Sequence, residues 1–585
     1  MTISVPPPPP APTSQAPGPR VIDVFLKYLK AEGVSVVFGI PGGLLYPFFA
    51  VIEADPDIAL VMTKHEEGAA FMADGYARVG RRMSVCAGTS GPGATNMITG
   101  VACAFADGVP MLVVTGQAAT HALGKGAAQE TSREDMDIVA MFRPVTKYSA
   151  MVTTPESMAQ HLRRALRYAL TGRPGPVHLN VPVDLWEKPL AEAWFDPKTY
   201  RPETSTFDRV AVSRAASLLM SAKYPAIFAG AGVCSAGAEE HLRALAELLP
   251  ARVATTPRGK GVFPEDHALA LGVMGFAGHA AARDALLGPD VDVLFTVGTS
   301  LNETATLNWA PKLRKNRTFL QLDIDADRIG RNYPVDVALV GDAQTILVEI
   351  VYHVHRALRE GAKAASVWDK EPAPVRSYSD PELRDSDRVP VTPQRWRKDF
   401  EEALPHDAVV FSDIGGHMLS NIHYLTMHGQ QRFVLNLGFG SMGHGTAAPI
   451  GAALAGGGRP VVAIIGDACF TMNGMELITA FEYGIPKLVW IVENNNMHGI
   501  TYYASRALSS GALSSVRYKK PLEIAAIARA MGLAAWIVDK PGQMQGALRE
   551  ALDSAGPALI EVRVDASVAP PLGDRVKSIS GFVDK

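Results

Sequence analysis

The run Val461-Val-Ala-Ile-Ile is apolar at every position and passes directly into Gly466-Asp467-Ala468. A strand with one wet face alternates apolar and polar side chains. A strand with no polar position has both faces covered, as in a parallel sheet packed between helices. Comparable strand-like runs occur at 36–38, 84–87, 111–115, 177–181, 226–228, 291–297, 319–324, 408–411 and 487–492, with helical stretches such as 22–29, 68–78, 96–106 and 475–483 between them. This alternation predicts an α/β chain of doubly wound parallel sheets. A length of 585 residues is too great for one ordinary domain. Three blocks of similar size account for it, at 20–190, 207–359 and 395–585, joined by Pro-containing, charged connections at 187–207 and 360–394. The opening stretch, Val5-Pro-Pro-Pro-Pro-Pro-Ala-Pro and on to Pro19, favours polyproline II and is read as a disordered tail over 1–19.

Charge and cysteine usage exclude several functions. Fifty-six basic residues against 59 acidic ones give a net charge of -3, so no global field gathers nucleic acid or anionic lipid. No apolar run reaches the length of a membrane span, and the N-terminus lacks a basic segment followed by an apolar one. Cys86, Cys103, Cys234 and Cys469 are far apart with no CxxC pattern, which argues against a disulfide framework or a zinc site and for a reducing cytoplasm.

The strand ending at Gly466-Asp467-Ala468 and the strand 487–492, which ends in Glu493-Asn494-Asn495-Asn496, point to the same edge of a parallel sheet, where ligands bind. One Asp, one Asn side chain and a backbone carbonyl are hard oxygen ligands suited to Mg²⁺, whose open positions take diphosphate oxygens. Taken alone, a Gly-Asp turn and an Asn-rich loop are also ordinary turn chemistry. Roughly four hundred residues upstream lies Thr63-Lys-His-Glu-Glu-Gly-Ala-Ala-Phe-Met-Ala-Asp-Gly-Tyr-Ala-Arg. There Glu66 is either a solvated acid at a helix N-terminus or a reactive one.

Together these segments resemble the thiamine diphosphate (ThDP) enzymes, and in particular the acetolactate synthase (acetohydroxyacid synthase) branch, over nearly the whole chain from residue 20. The family's Gly-Asp-Gly motif, with Asn-Asn some twenty-five residues on, corresponds to Gly466, Asp467 and Ala468 with the asparagine run. The resemblance implies Asp467, Asn495 and the carbonyl of Met497 as metal ligands; a register one residue earlier would use Asn494. It implies Glu66, not Glu67, as the catalytic glutamate, which bonds the cofactor's pyrimidine and needs a desolvated site. Phe38-Gly-Ile-Pro-Gly-Gly, containing Gly42, and Thr89-Ser-Gly-Pro-Gly-Ala-Thr-Asn-Met match further turns at the cofactor. Asp413-Ile-Gly-Gly-His implies Gly416 and His417 at the diphosphate. Gly440-Ser-Met-Gly-His-Gly implies the Gly440 carbonyl and the Met442 amide on the aminopyrimidine, with the Met442 side chain wedging the cofactor into its bent shape. By themselves, His417 is equally a structural histidine and Met442 a core residue.

The resemblance further implies three ThDP-type domains in turn: a pyrimidine-binding one, a central Rossmann-like one, and one that binds diphosphate with Mg²⁺. It implies decarboxylation of a 2-oxo acid, pyruvate first, with carboligation to a second carbonyl compound. Gln129, and more weakly Arg506, are candidates for acceptor contacts. A homodimer or homotetramer is implied, since one cofactor must bridge two domains. FAD is doubtful: Gly230-Ala-Gly and Met274-Gly-Phe-Ala-Gly echo the flavin-binding version, but Gly298-Thr-Ser-Leu-Asn-Glu-Thr replaces its arginine- and aspartate-bearing turn. The tryptophan that biosynthetic synthases carry after the asparagines is missing from 500–506. A simple decarboxylase, a flavin-linked pyruvate oxidase, a sulfoacetaldehyde acetyltransferase-like enzyme and a non-catalytic regulatory protein remain alternatives. The sequence names neither the acceptor nor a regulatory subunit.

Overall fold

A computed structural model describes residues 18–190, 194–201, 206–372, 375–508, 511 and 513–583. The tail expected over 1–19 lies almost wholly outside them. Its last residue is tied down, since the Pro19 carbonyl accepts a hydrogen bond of 2.8 Å from the Leu190 amide.

Three six-stranded sheets are present, and every named pairing in them is parallel. The first contains β1 (Val36–Ile40), β2 (Ala59–Met62), β3 (Ser84–Gly88), β4 (Met111–Gln117), β5 (Ser149–Met151) and β6 (Pro176–Pro182). The second contains β7 (Pro225–Ala229), β8 (Arg252–Thr255), β9 (Ala270–Val273), β10 (Val293–Val297), β11 (Thr318–Asp323) and β12 (Val337–Val340). The third contains β13 (Val409–Ser412), β14 (Arg432–Leu435), β15 (Val461–Gly466), β16 (Leu488–Asn494), β17 (Ala534–Val538) and β18 (Ala558–Arg563). The outer sheets share one order, β2-β1-β3-β4-β6-β5 and β14-β13-β15-β16-β18-β17. The middle sheet, β12-β11-β10-β7-β8-β9, has the arrangement of a dinucleotide-binding fold, reversing direction between β7 and β10. In the outer sheets the reversal falls between β1 and β3 and between β13 and β15, so the crevices open beyond the C-terminal ends of those strands.

The central strands β15 and β16 are buried at every position, as a sheet covered on both faces requires. Their Val, Ile and Trp side chains join one core with the first domain's Phe71, Met72 and Tyr76. What brings the two domains together is a crossing of the helices Glu66–Gly80 and His444–Ala455. Both are rich in Ala and Gly, so their backbones approach closely. A Cβ on Gly75 would lie 1.9 Å from the Ala448 carbonyl oxygen, and one on Gly451 would lie 1.8 Å from that of Met72. Beside the crossing runs a buried ionic chain. The Asp74 carboxylate takes the His444 ring nitrogen at 2.7 Å, Arg78 bridges Asp74 to Asp107, and Arg258 of the middle domain reaches Asp107 at 3.0 Å. Burial pushes the Asp74 pKa up, but Arg78 and His444 outweigh it and hold it at about 2.

The expected second connection, 360–394, is packed along the surface and is not a free linker. Trp368 is buried with its indole N–H on the Pro225 carbonyl, and Arg384 pairs with Glu401 at 2.8 Å. The first connection includes a helical turn, Pro197–Tyr200. After β15 the chain enters a helix at once, Asp467–Asn473, before the expected one, which runs Glu476–Glu482.

Gly75→Val and Gly451→Val should each overpack the crossing and cost about 3 kcal/mol or more, read as a lowered denaturant midpoint; near-neutral behaviour would refute so tight a contact. For Asp74, a folded pKa below the ordinary 3.8 contributes stability that is complete above that value and lost as pH falls through about 2. The stability gap between wild type and Asp74→Asn should therefore stay open down to about pH 4 and close toward pH 2. A gap that widens on acidification would contradict the pairing.

Candidate functional site

Asp467 begins the helix after β15, with its carboxylate 2% exposed. Its hydrogen-bond partners are backbone N–H groups alone, Ala468 at 2.7 Å, Asn495 at 3.2 Å and Met497 at 3.3 Å. Burial pushes its pKa up to about 7, and the backbone N–H groups around it offset only part of that. Asn494, at the end of β16, faces away. Its amide N–H groups go to the Leu522 carbonyl and Glu561, both at 2.9 Å, and its oxygen accepts from Asn496. Asn495 follows in a turn, its amide oxygen accepting from the Met497 N–H at 3.2 Å. The Met497 side chain is buried in the core, leaving only its backbone for the crevice. A strap formed by 516–518 holds this loop, with His498 N–H on the Val516 carbonyl and Tyr518 N–H on the Asn496 carbonyl.

Two more groups converge here. His417, at the start of the helix Gly416–Tyr424, is buried with its Nε2 atom unpartnered, and burial pulls its pKa down to about 4. Its ring lies so close to Gly466 that a Cβ there would sit 3.0 Å from Nδ1, which is why the residue before Asp467 is glycine. The Tyr518 hydroxyl is also buried without a partner. Burial first and the Asp467 carboxylate second push its pKa up to about 12. Ala468 is buried beside Asp467. Beneath the site, Arg397 pairs with Glu493 at 2.7 Å and donates to the His417 carbonyl and Asn421.

The turn 440–443 flanks this cradle. Gly440 and Gly443 have φ of +80° and +87°, and Met442 lies half-buried against the core. The Asp413 carboxylate anchors the turn by accepting the Gly443 N–H at 2.9 Å; burial raises its pKa to about 6.

On the first domain, Glu66 opens its helix with His65 as the cap. It is 9% exposed and accepts from the Asn96 amide at 2.9 Å. Gly93 and Gly42 close in around it and Thr89; a Cβ on Gly93 would be 3.3 Å from a Glu66 oxygen, and one on Gly42 would be 2.5 Å from Thr89 Cβ. Gln129 is exposed, in a left-handed conformation with φ +58°, beside Gly91. Arg506 is exposed on the helix Gly499–Leu508. Glu67 turns instead toward Asn473 at 3.5 Å. The start of the Glu66 helix is fastened from the third domain. Glu476, buried, accepts from the Lys64 and His65 amides at 3.1 and 2.8 Å.

Asn96, Glu476 and Tyr518 were not assigned from the sequence. Asn96 stands within the quoted Thr89 segment, and Glu476 lies nine residues past Asp467, but neither spacing says what the side chain reaches. Among the described residues no cluster of three or more His, Cys, Asp or Glu forms a metal site; the cradle offers one carboxylate, amides and carbonyls instead. That set fits a hard divalent cation carrying diphosphate: a buried carboxylate with an amide oxygen and a carbonyl near it, beside two buried polar atoms that no protein group partners, His417 Nε2 and the Tyr518 hydroxyl.

The middle domain has a cavity of about 440 Å³ at the β7/β10 reversal, lined by Gly232, Thr256, Thr299, Asp323, Arg173 and Arg328 among others. The glycines of Gly230-Ala-Gly232 serve internal packing, since a Cβ on either would strike Gly298. They are not by themselves a dinucleotide signature.

Comparison with known proteins agrees with this geometry. Residues 19–141, 212–350 and 413–562 match, in turn, the N-terminal TPP binding domain, the central domain and the C-terminal TPP binding domain of thiamine pyrophosphate enzymes. The chain is 35% identical, over 95% of its length and 94% of the relative's, to a probable acetolactate synthase large subunit of Methanocaldococcus jannaschii. It is 32% identical to the acetolactate synthase isozyme 3 large subunit of Escherichia coli, over 93% of this chain and 95% of that one. With the Corynebacterium glutamicum acetolactate synthase large subunit the identity is 31%, over 93% and 87%. Three matched domains in family order, each on its own parallel sheet, and full-length relatives of one kind establish that the chain belongs to the thiamine pyrophosphate enzymes, in their acetolactate synthase large-subunit branch.

Proposed function

We propose that this protein is a ThDP- and Mg²⁺-dependent enzyme that decarboxylates a 2-oxo acid, pyruvate in the simplest case, and joins the remaining two-carbon unit to a second carbonyl compound. With pyruvate as acceptor the product is 2-acetolactate. The observation that carries this reading is the buried Asp467 carboxylate at the end of β15, met by backbone N–H groups, beside two buried atoms without a protein partner, His417 Nε2 and the Tyr518 hydroxyl.

When bound, ThDP supplies the electron sink that lets CO₂ leave. The chain's own residues do the rest. Asp467, the Asn495 side chain and the Met497 carbonyl hold Mg²⁺, while Asn494 is spent on the scaffold. Gly416, His417 and Tyr518 face the diphosphate, with Gly466 and Ala468 keeping the cradle small. Gly440 and Met442 hold and bend the aminopyrimidine. Glu66, kept dry between Gly93 and Asn96, shares a proton with the pyrimidine ring, which sets that ring's protonation for proton removal at the reacting carbon. Gly42 closes the wall behind Glu66, and Gln129 contacts the acceptor.

One cofactor bridges the domains that carry Glu66 and Asp467, and the family resemblance puts that bridge between subunits, so a second copy would complete the site. Large apolar side chains exposed on the first and third domains, Tyr46 at 62%, Met475 at 57% and Phe439 at 53%, together with Met62, Phe481 and Tyr483, suit burial in a homodimer, the minimum assembly. A homotetramer doubles that contact. Four free cysteines fit a reducing cytoplasm, and among the described residues no helix is long and apolar enough to cross a membrane. The middle cavity favours one second reading, a flavin-linked oxidase; since its glycines are used in packing, the purified protein is expected colourless, and a yellow one would support the oxidase.

Incubation with ThDP, Mg²⁺ and a panel of 2-oxo acids, with CO₂ and products followed, tests the reaction directly. Glu66→Gln should lower CO₂ release by about two to four orders of magnitude while ThDP affinity changes little; retained turnover would remove Glu66 from the chemistry. Asp467→Ala should abolish Mg²⁺-dependent ThDP retention on dialysis. Tyr518→Phe should weaken ThDP binding by roughly ten-fold, one hydrogen bond to a charged group, and unchanged affinity would return Tyr518 to a packing role.

A further inference from the structure

We propose that a second cavity, where all three domains meet and apart from the cofactor cradle, binds a small organic monocarboxylate. The cavity measures about 210 Å³. Its apolar walls come from Val109 and Leu170 of the first domain, Val262 of the second, and Phe433 and Leu435 of the third.

The remaining walls are cationic, and the ion pairing there leaves positive charge over. Arg78 is shared by Asp74 and Asp107, Arg258 is held by Asp107, and Arg81 by Glu239. Among the described residues no carboxylate pairs with Arg82 or Arg432. Arg432 gives its terminal N–H groups to the Arg78 and Val79 carbonyls, each at 3.2 Å, and to the Cys234 sulfur at 3.1 Å. Arg82 bonds only the Ala455 carbonyl, at 3.3 Å, and lies over the Tyr76 ring. In both, the Nε atom is buried without a partner. Both side chains are partly buried, and a buried Nε–H without a partner in a cationic wall is unfavourable, which an anion relieves.

The other walls narrow the ligand's chemistry. Asp107 and Glu239 also line the cavity, which disfavours a dianionic phosphate, and the apolar walls call for a hydrocarbon body. At about 30 Å³ per water, the space holds roughly seven waters, or one acid of the size of benzoate. Such an occupant would touch the C-terminal end of the helix that Glu66 begins, and would clamp three domains at once. The site stands on this charge and shape whether or not the proposed reaction is correct.

Isothermal titration calorimetry of the full-length protein, saturated with ThDP and Mg²⁺, with benzoate and its neutral counterpart benzamide as probes, tests it. One benzoate per chain is expected, with benzamide far weaker. Arg432→Met should reduce benzoate affinity roughly ten-fold or more, the loss of one charged hydrogen bond. Leu170→Trp, which fills the cavity from its apolar side, should abolish binding, and both variants should keep wild-type ThDP affinity. Should Arg432→Met fail to fold, Arg82→Met takes its place. No benzoate binding, equal binding of benzamide, or unaltered benzoate affinity in the variants would each overturn the proposal.

Discussion

The contact on which the rest depends is the crossing of the helices Glu66–Gly80 and His444–Ala455. Carbonyl oxygens and Cα atoms meet there because Gly75 and Gly451 have no side chains, and dispersion across a seam that close is collectively large. One end of the first helix carries Glu66; the second follows directly on the turn 440–443. Fixing the crossing therefore fixes the first domain against the third within the chain. Glu476 adds a second fastening by accepting the amides just ahead of Glu66. The chain Asp74, Arg78, Asp107 and Arg258 adds a third that includes the middle domain.

Around that frame two buried polar atoms of the candidate site are left without a protein partner. Asp467 has N–H partners, while His417 and Tyr518 each keep a buried atom unpartnered. Holding such groups out of water costs free energy that folding alone does not return. For Asp467, burial pushes the pKa up to about 7, disfavouring the charged form.

Legibility in the sequence followed burial. Strands β15 and β16, apolar throughout, could be read from composition alone, and so could the ends at which Asp467 and the asparagines sit. The short outer strands escaped notice, and so did the inner strands β8 and β18, although β18 is buried at every position but Arg563. β5 has three residues, none buried, and β17 is buried only at Val538, so neither carries the continuous apolar signal of an inner strand. The stretch 360–394 read as a linker because its residues are charged and Pro-rich. Its fastening through Trp368 and Arg384 comes from partners far off in the chain.

The sequence by itself determined the α/β class, the three sheets and the two segments that carry Glu66 and Asp467, because burial of continuous apolar runs and short-range motif spacing are local properties. Only the tertiary structure decided that Asn494 turns inward while Asn495 faces the loop, that Tyr518 lies near Asp467, and that Glu476 fastens the segment before Glu66. It alone showed the middle domain's glycines to be packing and two arginines at the domain junction to lack a carboxylate. Those outcomes depend on which atoms distant segments bring within hydrogen-bond reach, and that is settled by close packing between helices hundreds of residues apart.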